Sequence, residues 1–240
     1  MSKEKKDPQI RIVKDGPYIV TGNVPLYEKI ITPQGDKSYV YEDGQELPQS
    51  ETYTLCRCGQ SKNPPFCDGQ HAKTAFYGTE VASKDNYLDR VKQRILGPDM
   101  ELYDDGRCAY ARFCHREAGD AWELVEMTDE CEDLKEEAIK AACQCPSGRL
   151  VLTDDEGNEI EPAYEPAVEI LQDPEKDVSG PIAVKGYIPL LSADGDSYEL
   201  RNRIALCRCG QSKNMPFCDG QHFRKGFKDG LNETGKKDRD

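Results

Sequence analysis

Histidine is scarce in this chain, with three in 240 residues beside a single tryptophan, and no apolar run reaches membrane-spanning length. The missing run excludes a bundle of membrane-spanning helices. Met1 is followed by the polar segment SKEKKDPQ and not by a hydrophobic signal region, so the eleven cysteines suggest a reducing cytoplasm and metal ligation instead of a secreted disulfide framework. Basic residues are outnumbered, 32 Lys and Arg against 45 Asp and Glu for a net charge of −13. No stretch joins basic and aromatic side chains as a phosphate-binding face requires, which excludes nucleic acid as a partner. GxSxG, P-loop and Rossmann fingerprints are missing too, so the expectation is a carrier or binding protein without catalytic residues, not an enzyme.

What is present is a repeat. Leu55 to His71 reads LCRCGQSKNPPFCDGQH and Leu206 to His222 reads LCRCGQSKNMPFCDGQH, with Pro64 against Met215 the one difference in seventeen positions. The first copy supplies Cys56, Cys58, Cys67 and His71, the second Cys207, Cys209, Cys218 and His222, both spaced C-x-C-x8-C-x3-H. Four soft or borderline donors in a turn-rich segment make a metal site. Disulfide loops would leave one thiol unpaired in each copy and give the recurring histidine no role.

Zinc fingers separate paired cysteines by two to four residues so that both sulfurs reach one tetrahedral ion, whereas C-x-C leaves a single residue between them. Thiolates also select cuprous copper and iron-sulfur clusters. In a binuclear cluster the ligands divide over two irons, and a Cys-x-Cys pair on one with a Cys-x3-His pair on the other fits a 2Fe-2S rhomb. Zinc, stabilising an interaction module without redox activity, remains the alternative. Both copies resemble the CDGSH iron-sulfur domain family of the mitoNEET type, whose motif is C-x-C-x2-S/T-x3-P-x-C-D-G-x-H. Ser61, Pro65, Asp68 and Gly69, and Ser212, Pro216, Asp219 and Gly220, stand at the family's positions, while Gln70 and Gln221 replace the name-giving serine. The resemblance implies two 2Fe-2S clusters, each held by three cysteines and one histidine, in electron transfer or in cluster storage and transfer.

The motif also reads from its chemistry. Gly59, Gly69, Gly210 and Gly220 permit positive backbone dihedrals and close approach. Asp68 and Asp219 can accept backbone N–H bonds and brace the turn before the histidine. A neutral imidazole in place of one thiolate makes a cluster less negative and raises its potential. It also adds a proton-sensitive bond, since protonation competes with iron for the nitrogen.

Upstream, Gly16-Pro17 followed by YIVTGNVPL echoes Gly180-Pro181 followed by IAVKGYIPL, so the repeat extends beyond the motif. Strand-like pieces are expected at Gln9–Lys14, Pro17–Val24 and Lys37–Tyr41. Tyr87, Leu88, Val91 and Ile95 keep helical spacing between Ser83 and Leu96, with Gly97-Pro98 as a stop.

Between the copies, Asp99 to Asp177 holds 24 acidic and 7 basic residues, either a solvated face or a means of steering a basic partner. Five more cysteines lie here: Cys108, Cys114, Cys131, Cys143 and Cys145. Bacterial ferredoxins use C-x2-C-x2-C with a later Cys-Pro. Cys108 and Cys114 keep the outer positions, Cys145-Pro146 supplies the last, and Ala111 occupies the middle one. With a strand starting at Trp122, a helix over 134–142 and a strand over 149–152, the segment resembles a divergent single-cluster ferredoxin domain. Cys108, Cys114 and Cys145 would hold a 3Fe-4S or 4Fe-4S cluster, or the scaffold has lost its cluster. Cys131 and Cys143 are spare thiols, Cys143 with the option of a surrogate ligand, and His115 is a solvated side chain. Trp122, Phe113 and the Leu134/Ala138/Ala142 face are the expected core.

The sequence therefore predicts an α+β protein: a CDGSH-type domain with a C-terminal helix over 1–97, a ferredoxin-like domain over 98–177 and a second CDGSH-type domain over 178–240. The expected partner is a redox protein or cluster acceptor. The chain is expected to be a monomer, with no membrane contact and with its two CDGSH units paired as an intramolecular pseudo-dimer.

Overall fold

The computed structural model describes residues 7–129 and 131–231, so the polar residues 1–6 and the end of the second unit, 232–240, lie outside it. In the N-terminal unit, short alternating segments with turn residues between them form β1 (Gln9–Ile12), β2 (Tyr18–Thr21), β3 (Leu26–Gln34), β4 (Ser38–Asp43) and β5 (Thr52–Leu55), followed by one helical turn, α1 (Tyr87–Arg90). The middle unit contributes β6 (Gln93–Leu96), β7 (Met100–Asp104), β8 (His115–Arg116), β9 (Gly119–Asp120), α2 (Ala121–Glu126), α3 (Glu132–Cys143), β10 (Leu150–Asp154) and β11 (Glu159–Ile160). The C-terminal unit has β12 (Ala167–Asp173), β13 (Val178–Lys185), β14 (Leu190–Leu191), β15 (Arg203–Leu206) and α4 (Gln221–Arg224). Among the described residues no helix is long and apolar enough to cross a membrane.

The two repeat units exchange strands. One sheet has the order β14-β1-β2-β5 and another β15-β13-β12-β3-β4, so the C-terminal unit adds one strand to the first sheet and the N-terminal unit adds the β3–β4 pair to the second. β14 runs parallel to β1 with Leu190 opposite Ile10, and β3 runs parallel to β12 with Leu26 opposite Val168, the same exchange seen from both sides. The inward residues merge into one core: Tyr18, Val20, Leu26 and Leu55 pack with Val168, Ile170, Ile182, Val184 and Leu206. Each fully buried aliphatic side chain contributes about 1.5–3 kcal/mol, and here that contribution depends on both units being present.

In the middle unit the antiparallel order β11-β10-β7-β6 carries α2 and α3. Its core joins Met100, Leu102, Leu124, Val125, Ala138, Ala142, Leu150 and Leu152. The helix expected over 134–142 and the strand over 149–152 are both there. Four expectations change. The helical spacing from Ser83 yields only α1, because Gln93–Leu96 finds a partner in β7 and tertiary pairing overrides local periodicity. The C-terminal helix of the first unit is thus a single turn, and its last residues belong to the middle sheet. Trp122 opens a helix and not a strand: Asp120 accepts from the amides of Trp122 and Glu123 while Glu123 accepts from Asp120, a capping box. Phe113 leaves the middle core for the β3–β4 hairpin, stacking on Tyr41 with ring centroids 4.1 Å apart. β12, expected in the middle segment, is the first strand of the C-terminal unit's sheet.

Candidate metal centres

The ligand loops follow β5 and β15. The Cys56 amide donates to the Pro65 carbonyl and the Cys207 amide to that of Pro216, both at 2.8 Å, which folds each loop back on its strand. Ser61 Oγ donates to the Phe66 carbonyl and accepts from the Asn63 amide; Ser212 does the same with Phe217 and Asn214. Asp68 accepts from the amides of Lys62 and Gln70, and Asp219 from Lys213 and Gln221. The Lys62 amide and its neighbours hold the Asp68 carboxyl below its ordinary value. Gly69 and Gly220, at φ 86° and 79°, start the short helical turns bearing His71 and His222.

In each loop the four donors fall into two pairs. Cys56 and Cys58 Sγ are 3.6 Å apart, and Cys67 Sγ lies 3.3 Å from His71 Nδ1. The second copy repeats this at 3.7 Å for Cys207 and Cys209 and 3.3 Å for Cys218 and His222. Among the described residues no three His, Cys, Asp or Glu side chains converge as one metal ion would need. Hydrogen bonding from Cys58, against the opposing effect of burial and together with the amides of Ser61 and Gly59, lowers the Cys56 thiol, while Cys58 keeps its proton. Cys209 and the amides of Ser212 and Gly210 lower the Cys207 thiol in the same way, with Cys209 raised. Amides aimed at sulfur form a cradle for negative charge. A thiolate-bound cluster fits that cradle.

Two residues that the sequence reading passed over brace these loops. Arg57 and Arg208, the middle residues of each C-x-C, are 1 % and 3 % exposed. Arg57 donates to the carbonyls of Gly16, Val13 and Gly78. Arg208 donates to those of Gly180 and Leu171 and pairs with the Asp229 carboxylate. Their identical place in both copies was the available signal. Tyr18 was missed as well; its buried hydroxyl donates to the carbonyls of Cys207 and Pro216, crossing from the first unit to the second site.

The loops meet at a bridge between Cys58 and Cys209. A Cβ on Gly59 would fall 2.6 Å from the Cys209 carbonyl oxygen and one on Gly210 2.4 Å from that of Cys58, so two glycines set the approach. Beyond that bridge the surroundings differ. Cys67 and His71 are half-buried, whereas Cys218 and His222 are each 4 % exposed. Burial, with Arg208 adding, pushes the His222 imidazole down to about 4, and burial raises the Cys67 and Cys218 thiols.

In the middle unit Cys114 feels Cys145 and Cys108; burial, with those two sulfurs, pushes its thiol up to about 12. Arg149 pairs with Asp104 and bonds Cys108. Cys114 and Cys145 both pack against the middle core, and Cys108 and Cys145 act on Cys114 electrostatically, so the three thiols lie in one neighbourhood without converging on a single point. Ala111 faces the Ile31, Tyr39 and Phe113 cluster and offers nothing to it. Cys131 is exposed at the start of α3, and His115 is exposed on β8. Cys143 donates to the Ile160 carbonyl, with its thiol raised by burial to about 11.

The family described as iron-binding zinc finger CDGSH type matches residues 15–72 and 179–223, and that described as divergent 4Fe-4S mono-cluster matches 95–155. A mouse protein, mitochondrial CDGSH iron-sulfur domain-containing protein 3, is 62% identical over 26 residues, 11% of this chain and 19% of the mouse protein. The chain therefore matches only about a fifth of that relative's length. No solved structure matches. The recurring donor sets and these matches agree: the chain carries two segments that match the CDGSH iron-binding family, flanking one that matches the divergent 4Fe-4S mono-cluster family.

Proposed function

We propose that each CDGSH site holds a 2Fe-2S cluster and that Cys108, Cys114 and Cys145 hold a third cluster of the 4Fe-4S or 3Fe-4S type, in a protein that carries electrons and is not itself a catalyst. The carrying observation is the division of each CDGSH donor set into a Cys–Cys pair and a Cys–His pair, with amides directed at Cys56 and Cys207. A lone zinc ion asks all four donors to converge; two irons ask for two pairs. Bound clusters supply one-electron redox chemistry. The chain's residues orient them: Arg57 and Arg208 hold the C-x-C segments, Asp68 and Asp219 brace the histidine turns, and the Tyr18 hydroxyl locks the second loop.

The burial of Cys218 and His222 favours electron transfer at the second site. The half-buried Cys67 and His71 favour a second reading at the first, handing its cluster to an acceptor protein. The strand exchange supports a monomer whose repeat units pair within one chain. Iron and sulfide analysis with absorption spectra of anaerobically purified protein tests the proposal. Iron and sulfide sufficient for three clusters, with charge-transfer bands that bleach on dithionite reduction, are expected. A colourless zinc protein overturns it.

A further inference from the structure

Among the described residues the middle unit reaches the second CDGSH site through the consecutive residues Arg107 to Tyr110, with Arg107 lying over the Phe217 ring at 4.4 Å. Ala109, 3 % exposed, packs with Ala205 and Cys218. Tyr110 lies over Gly220: a Cβ there would fall 2.2 Å from the Tyr110 ring, whereas one on Gly69 would meet nothing within 4 Å. Cys108, from the middle thiol group, is close enough to Cys218 to raise its thiol electrostatically. Cys108 and Cys218 both line one cleft of about 550 Å³.

The sequence of the second copy is altered where this contact falls. After the histidine the first copy continues Ala72-Lys73 and the second Phe223-Arg224. Phe223 stacks on the Tyr110 ring at 5.6 Å between centroids, and Arg224 donates to the Tyr110 hydroxyl. The repeat thus departs from itself at the two side chains that grip the middle unit. The edge formed by Cys218 and His222, whose equivalent on the first site is only half-buried, is taken up by a partner built into the same chain.

We propose that the Cys108–Ala109–Tyr110 segment is an electron-transfer contact joining the middle site to the second CDGSH site and not directly to the first. This rests on the reading of Cys108, Cys114 and Cys145 as cluster ligands given above. With clusters held at both sites, the segment would carry one electron from the reduced middle site, oxidised by one unit, to the oxidised second site, with no bond made or broken. The electron comes from a low-potential one-electron carrier. Tunnelling falls off exponentially with distance, and Ala109 offers a short packed path from Cys108 to Cys218. From there the Cys58–Cys209 bridge leads to the first site.

The test uses the full chain, reconstituted anaerobically and assayed first for iron and sulfide. His71→Cys and His222→Cys variants assign the EPR signals of the two CDGSH sites, since replacing imidazole by thiolate shifts the signal of the altered site. In fully dithionite-reduced wild-type protein, the second-site signal is expected to be broadened and to need several-fold more microwave power for half-saturation than the first, because a paramagnetic neighbour relaxes it. Cys114→Ala, which removes a middle ligand away from the contact, is expected to abolish that difference. Iron for two binuclear clusters only overturns the cluster reading and this inference with it. Three clusters with both CDGSH signals saturating alike, or with the first relaxing faster, overturn the inference alone; the comparison within wild-type protein needs no variant in the middle unit.

Discussion

The two CDGSH sites differ at one of seventeen motif residues, yet almost everything that touches them differs. The second site has Tyr18 bonded to its carbonyls, Met215 buried at 4 %, the amides of Val81 and Ala82 on the Met215 carbonyl, and Tyr110 over Gly220. The first site has a half-buried Pro64 at the equivalent of Met215 and a histidine edge that is only half-buried. Among the described residues Arg57 donates its hydrogen bonds to carbonyls, where Arg208 also pairs with the Asp229 carboxylate. A motif therefore defines the donor set, while the flanks define how water, protons and charge reach it.

Removing the carboxylate that only the second site possesses should have the largest effect. Asp229→Asn leaves Arg208 buried and unpaired and should destabilise the protein by about 3 kcal/mol in chemical denaturation. In the surviving holo-protein the second cluster's potential should rise toward that of the first, since an uncompensated positive charge favours the reduced state. A potentiometric titration in which the two sites keep their original gap would show that the arginine environments do not set it. Next in size is the single motif difference. Met215→Ala empties packing shared with Phe76 and Phe227 and should cost about 2 kcal/mol, whereas Pro64→Ala should stay within a few tenths. Equal losses in thermal unfolding would remove the packing asymmetry.

Acid should separate the sites kinetically. The buried His222, held down to about 4, stays neutral and able to bind metal until the pH falls toward that value, while the first site's edge is only half-buried and shielded less from water. Near pH 5 the visible absorbance should bleach in two phases differing by about tenfold, the first site in the faster. One phase with His222→Cys unaltered in rate would refute it. The smallest change is reserved for Tyr110→Ala, which uncovers Gly220 and should quicken the slow phase by a few-fold without touching the fast one; Tyr110→Phe, keeping the ring, should leave both near wild type.

The eight candidate donors of the two CDGSH segments, which the structure brings together in pairs, could be named from the sequence because donor type and spacing are local, within seventeen residues. So were β1, β2 and β4, whose turn residues bracket alternating segments. What escaped was whatever depends on a remote partner. Gln93–Leu96 has a helical pattern but a strand waiting for it in β7, and Phe113 looks like middle-unit core but finds Tyr41. Arg57 and Arg208 are charged residues that ordinarily sit outside; only the carbonyls converging on them, from turns and strands far away in sequence, explain their burial. The capping box at Asp120 was legible in principle, as Asp followed three residues later by Glu.

The exchange of β3 and β14 has a consequence for the order in which the protein is made. A chain emerging from the ribosome carries the whole first ligand set, Cys56 to His71, long before β12 exists to pair with β3 or β14 to cover β1. Tens of residues of middle unit come between, on the order of ten seconds of synthesis. During that interval β1 and β3 present unpaired edges and the first loop lacks Cys209 against Gly59. The middle unit, whose sheet closes on residues 93–160 alone, can settle first. The earliest ligands to be translated are thus among the last to be housed, and iron loaded onto them before β15 has emerged would sit in a half-built site.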